Sequence, residues 1–95
     1  MHVLRVDHRV RDFDAWKLVF DSDPVGREAG GVRAYRVARP ADDPNHVLVD
    51  LDFESAGEAE AFAERLRAIW VDAGPRLGLE SPTARVLEVV ETRSL

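Results

Sequence analysis

An α+β sandwich, four strands backed by two helices, is predicted by three features of this sequence. Some segments alternate apolar and polar residues with period two, and others repeat apolar residues every three or four positions. These segments follow one another as strand, helix, strand, strand, helix, strand.

His2 to Val10 alternates throughout, with Leu4, Val6, His8 and Val10 on one face and Val3, Arg5, Asp7 and Arg9 on the other, which is a strand with one side for a core. Asp12 can then cap a helix on which Phe13, Trp16 and Phe20 fall at helical spacing, until Asp23-Pro24 stops it. A second short helical piece is expected from Pro24 to Ala29, closed by Gly30-Gly31. Val32 to Arg39 alternates again, the Pro40 to Asn45 stretch is dense in turn formers, and His46 to Phe53 is the returning strand of a hairpin. Its apolar face carries Val47, Val49, Leu51 and Phe53.

Ser55 and Glu58 have the spacing of a capping box, in which each side chain satisfies a free amide at a helix start. The helix runs from there to about Ala73, with Ala59, Phe62, Leu66, Ile69 and Ala73 as its apolar stripe, and Gly74-Pro75 ends it. Arg76 to Pro82 reads as a loop and Thr83 to Glu91 as the last strand.

This order is the split βαβ arrangement of a ferredoxin-like sandwich. Right-handed crossovers place both helices on one face of a four-stranded antiparallel sheet, with the first and third strands central. The other face stays uncovered and should carry Val3, Arg5, Asp7, Arg9, Leu48, Asp50 and Asp52. Residues 1–95 are expected to form one such domain.

Composition narrows the function. Eighteen acidic against thirteen basic residues, for a net charge of −5, argue against nucleic acid as a partner. The absence of cysteine excludes disulfides, thiolate nucleophiles and iron–sulfur clusters. No apolar run is long enough for a membrane span and no leader pattern follows Met1, which gives a cytoplasmic expectation with no membrane partner. Gly30-Gly31 ends a helix and opens none, so no phosphate loop is expected. The serines occupy turns, caps or the tail, without the context of a nucleophile elbow.

The stretch from His8 through Trp16 to Phe20, the Gly30-Gly31-Val32 lead-in to the second strand and the Asp42 to Asn45 hairpin tip resemble the dimeric α+β barrel superfamily. The likeness is greatest to small actinobacterial proteins similar to antibiotic-biosynthesis monooxygenases and polyketide cyclases, and it covers nearly the whole chain. It implies a homodimer paired through uncovered sheet faces, with a ligand cavity between each sheet and its own helices. It also implies a small hydrophobic or aromatic ligand and no cofactor. Relatives that cleave haem or oxidise aromatics without a cofactor use an Asn in the first strand and a Trp in the second helix, with a later His for haem. Here Trp70 fits the Trp position, the strand offers Asp7 and His8, and no His follows His46.

His8 is therefore the candidate proton-transfer residue, an imidazole on an apolar face that titrates near neutrality; the alternative is a core histidine. Trp16, Phe20 and Trp70 are candidate walls for a planar ligand, or large core side chains. Tyr35 and Arg36 point to opposite sheet faces, so one of them could hold a ligand oxygen while the other covers the sheet. His46, Asp50 and Asp52 share a face, but ligands spaced by two along a strand lie about 7 Å apart, so no metal site is expected. Three readings stay open: a cofactor-independent monooxygenase or cyclase, a non-catalytic ligand-binding or stress-associated protein, and a structural dimer. A cavity of roughly 300 Å³ or more bordered by His8 and Trp70 would favour ligand chemistry.

Overall fold

A computed structural model describes all residues from 1 to 95. Strand β1 spans His2–Val10, helix α1 Phe13–Asp21, strand β2 Ala34–Ala38, strand β3 His46–Phe53, helix α2 Ala56–Ala73 and strand β4 Leu79–Glu88. The sheet order is β2-β3-β1-β4, and every pairing is antiparallel. The element order and the central pair β1 and β3 are those of the expected ferredoxin-like sandwich.

Register decides which side chains meet. Leu4 pairs with Leu51 and Val86, and Val6 with Val49 and Ala84. One face thereby collects the buried Leu4, Val6, His8, Val10, Val47, Val49, Leu51 and Phe53 under the helices. Val3, Arg5, Asp7 and Arg9 fall opposite Asp52, Asp50, Leu48 and His46 on the other face, as alternation requires.

Both helix starts follow their caps. The Asp12 carboxylate accepts from the Ala15 amide at 3.2 Å, and the Ser55 hydroxyl accepts from the Glu58 amide at 3.1 Å. The capping box is only half built, because the Glu58 carboxylate receives the Ser55 hydroxyl at 3.2 Å in place of the Ser55 amide. Helix α2 buries Ala59, Phe62 and Ala63, whereas α1 buries only Trp16. A helix held by one large side chain leaves space beneath it, and that space becomes the site.

Four boundaries differ from the sequence reading, one of them the end of β4, which stops at Glu88 and not at Glu91. Pro24 to Ala29 forms consecutive turns and no helix, since Asp23 (φ 58) and Gly26 (φ 79) adopt left-handed backbone that a right-handed helix cannot include. Strand β2 is shorter than Val32 to Arg39. Strand β4 begins earlier, at Leu79, because Gly78 (φ 73) turns the chain tightly out of α2 and its carbonyl accepts from the Arg11 amide at 3.2 Å.

Candidate functional site

The earlier start of β4 introduces a bulge beside the one polar residue of the core. Asp7 pairs with Thr83 and Arg9 with Glu80, so Ser81 and Pro82 together oppose His8. Ser81 takes the left-handed backbone, φ 51, and Pro82 has no amide to pair, which suits a bulge on an edge strand. His8 itself is 3% exposed, and its Nδ1 is buried without a hydrogen-bond partner.

Around that imidazole the aromatic residues form a row. Trp16 meets it edge-on with ring centroids 5.4 Å apart, and Trp70 does so at 6.5 Å. Trp16 stacks on Phe20 at 5.1 Å, and Phe20 meets Tyr35 edge-on at 5.4 Å. Burial pushes the His8 pKa below its ordinary value of 6.5, with the Arg9 main chain and the Asp7 carboxylate opposing more weakly. Burial thus favours the neutral ring.

His8, Trp16, Phe20 and Trp70 all border one cavity, whose remaining walls are mostly aliphatic side chains from β1, β3, α2 and the segment entering β4. Trp16, Phe20 and Trp70 thus meet in one place. Leu66 and Ile69 of the α2 stripe border the same space. The cavity volume is about 90 Å³, well below the roughly 300 Å³ at which a ready-made ligand pocket begins. Tyr35 is on the helix-facing side, paired with Leu51, but it stands behind Phe20 and does not line the cavity. Arg36 lies on the uncovered face, 3.9 Å from Asp50.

The remaining candidates are committed elsewhere. His46 Nε2 lies 2.7 Å from Asp7 Oδ1, and Asp50 is gripped by Arg5 through two contacts of 2.9 Å. Those two residues are therefore paired with neighbours, and no cluster of His, Asp or Glu forms a metal-holding group. The sequence reading missed Arg27 and Asp23, which border the cavity from the turns after α1, and Leu77 and Leu79 from the segment leading into β4. Reading Asp23-Pro24-Val25-Gly26 as a turn would have brought Arg27 back toward α1.

No protein-family model and no curated protein matches this chain. Solved structures do. A candidate antibiotic biosynthesis monooxygenase from Deinococcus radiodurans superposes with a TM-score of 0.69 at 15% identity, covering 100% of this chain and 98% of that one. A second, from Nitrosomonas europaea, gives 0.63 at 18% identity over 96% and 100%. A dimeric ferredoxin-like protein from an uncultured marine organism gives 0.65 at 8% identity over 99% and 98%. The chain shares the ferredoxin-like fold of these structures. At such identities the likeness speaks to architecture, and one architecture of this kind hosts many chemistries. No helix is long and apolar enough to cross a membrane.

Proposed function

We propose that this chain is a small-molecule enzyme of the cofactor-independent monooxygenase or cyclase kind, acting on an aromatic or polyketide-like ligand with His8 as its proton-transfer residue. The observation that carries the reading is the buried His8 imidazole, which borders the cavity between Trp16 and Trp70. The names of the structural neighbours favour the same class.

The chemistry needs a neutral base in a dry, flat site. His8 takes a proton from a carbon flanked by a carbonyl and an aromatic ring, and the C–H electron pair becomes an enolate. In the cyclase route the enolate carbon attacks a second carbonyl of the same ligand, and the new alkoxide takes the proton back. In the monooxygenase route a CH₂ group and dioxygen become a carbonyl and water. Both routes share the first step.

Deuterium exchange at the acidic CH₂ of the single-ring ketone phenylacetone, followed by NMR, measures that step. The parent should accelerate exchange, and His8→Phe, similar in size and apolar, should lose about 10²- to 10⁴-fold of it. Equal exchange by the two folded proteins would remove His8 from the mechanism. That result would leave the non-catalytic readings, a ligand-binding or stress-associated protein and a structural dimer, of which the 90 Å³ cavity favours the structural one.

The chain is further proposed to work as a homodimer joined through its uncovered sheet face. Support comes from the apolar side chains that this face presents among its charges, Val3, Leu48 and Leu87, and from neighbours described as dimeric. Sedimentation at micromolar concentration should give twice the 10.6 kDa of one chain; a single-chain species alone would count against pairing.

A further inference from the structure

The cavity has a second polar feature, at the turn after α1. Arg27 borders it with a side chain only 16% exposed. Its guanidinium carbon lies 4.0 Å from the centre of the Phe20 ring and 4.7 Å from that of Tyr35, so two aromatic faces fix its plane. Nη1 donates to the Phe20 carbonyl at 2.8 Å, and Nε stands 3.6 Å from Asp23 Oδ1. Nη2 makes no hydrogen bond within the protein and is not sealed from the cavity or solvent.

We propose that Arg27 is the anion-recognising residue of this cavity, and that the ligand is a planar aromatic molecule carrying an ionised oxygen, a carboxylate or an enolate. The proposal rests on the reading of the cavity as a ligand site and adds the charge of its occupant. A guanidinium keeps its charge at every accessible pH and presents a rigid fork of donors suited to such an oxygen. Here the fork is partly withdrawn from water, with one carbonyl and one loose carboxylate as partners. Asp23 also borders the cavity and opposes an anion, but its Oδ1 accepts the Arg27 amide at 2.9 Å as well, which spends part of that charge on the turn. His8, Trp16, Phe20 and Arg27 follow in unbroken contact. A ligand lying along this row presents its acidic carbon to the imidazole at one end and an anionic oxygen, a carboxylate or the far oxygen of a conjugated enolate, to the guanidinium at the other, where fixed charge is most effective.

The size of the cavity sets a condition. An apolar cavity of roughly 150 Å³ takes a benzene ring, so at about 90 Å³ a ring enters only as the partly exposed Phe20, Leu66 and Trp70 move outward. Single-ring probes are accordingly the right ones. Benzoate and its neutral analogue benzyl alcohol are titrated at pH 7 and constant ionic strength, with the indole N–H resonances of Trp16 and Trp70 as the readout. Both probes should shift the two resonances, and benzoate should bind about tenfold or more tightly, the scale of one charge-assisted hydrogen bond. Arg27→Gln should abolish that preference and keep benzyl alcohol binding, while Asp23→Asn should enlarge it. Equal affinity of the two probes for the parent, or a preference that survives Arg27→Gln, overturns the role of Arg27 and leaves the cavity as a ligand site. Failure of both probes to move Trp16 and Trp70 overturns the ligand-site reading itself, and this proposal with it. Equal affinity in the parent overturns the role even where Arg27→Gln does not fold.

Discussion

The two faces of the sheet are built from alternate residues of the same strands, yet they handle polar groups in opposite ways. On the uncovered face each ionisable residue of β1 has a partner: Arg5 with Asp50 at 2.9 Å, Asp7 with His46 at 2.7 Å, and Arg9 with Asp43 at 2.6 Å. On the helix-facing side His8, the one polar residue buried in the core, has a ring nitrogen with none, as does His2 at the start of the strand. Pairing is cheap where water remains, and an orphan is costly where it does not. The costlier arrangement stands where α1 leaves a gap and aromatic rings converge, and local rules tend to be broken at functional sites.

The largest difference between the faces should appear in stability. Phe53 is fully enclosed on the helix side, tilted against Phe62 with centroids 5.6 Å apart. Its replacement by Ala removes the ring and leaves a cavity, at a cost of about 3–5 kcal/mol. Urea denaturation of Phe53→Ala should show this as a lower midpoint. A loss below about 1 kcal/mol would mean that the two layers do not meet as tightly as the burial of Phe53 requires.

Acid should separate the faces next. The folded pKa of His8 is depressed by burial, so as pH falls past the ordinary 6.5 the unfolded chain binds a proton first. The stability present above that value is then lost progressively until folded His8 also protonates. On the uncovered face, hydrogen bonds from Arg5 and Arg9 hold the Asp50 and Asp43 carboxyls below 3.8, and their contribution is lost only at pH values under that. Denaturation midpoints across pH should therefore fall in two windows, and His8→Phe should flatten the upper one alone. An upper window unchanged in His8→Phe would assign it to another group.

The fold was legible because the patterns that encode it are local. Period two in His2 to Val10 and His46 to Phe53, and the caps at Asp12 and Ser55, each depend on residues within one element. His8, Trp16, Phe20 and Trp70 could be gathered on paper because regular elements fix which way their side chains point. Arg27, Asp23 and Leu77 could not, since they reach the cavity from turns whose course depends on left-handed backbone at Asp23, Gly26 and Gly78. Tyr35 shows the same limit from the other side. Alternation set it opposite Arg36 without deciding which of the two faces the helices, and no local pattern placed it behind Phe20.

The smallest expected effect belongs to the best-formed ion pair. Asp50 takes both contacts of the Arg5 fork, with Arg36 3.9 Å away, and such geometry invites the inference of a large stabilisation. The Arg5 side chain is nevertheless half exposed, and an exposed pair contributes about 0–1 kcal/mol once screening and side-chain ordering are counted. Asp50→Asn should thus cost no more than about 1 kcal/mol in the single chain, measured by urea denaturation at a dilution where sedimentation gives one subunit. The cost should shrink further at about 1 M salt, where the Debye length is about 3 Å. In the proposed dimer the same face is withdrawn from water, and removal of one partner from a buried pair costs about 3–5 kcal/mol. A large, salt-insensitive loss in the dilute single chain would contradict a wet uncovered face. The same loss only at concentrations where subunits pair would place Asp50 inside the interface.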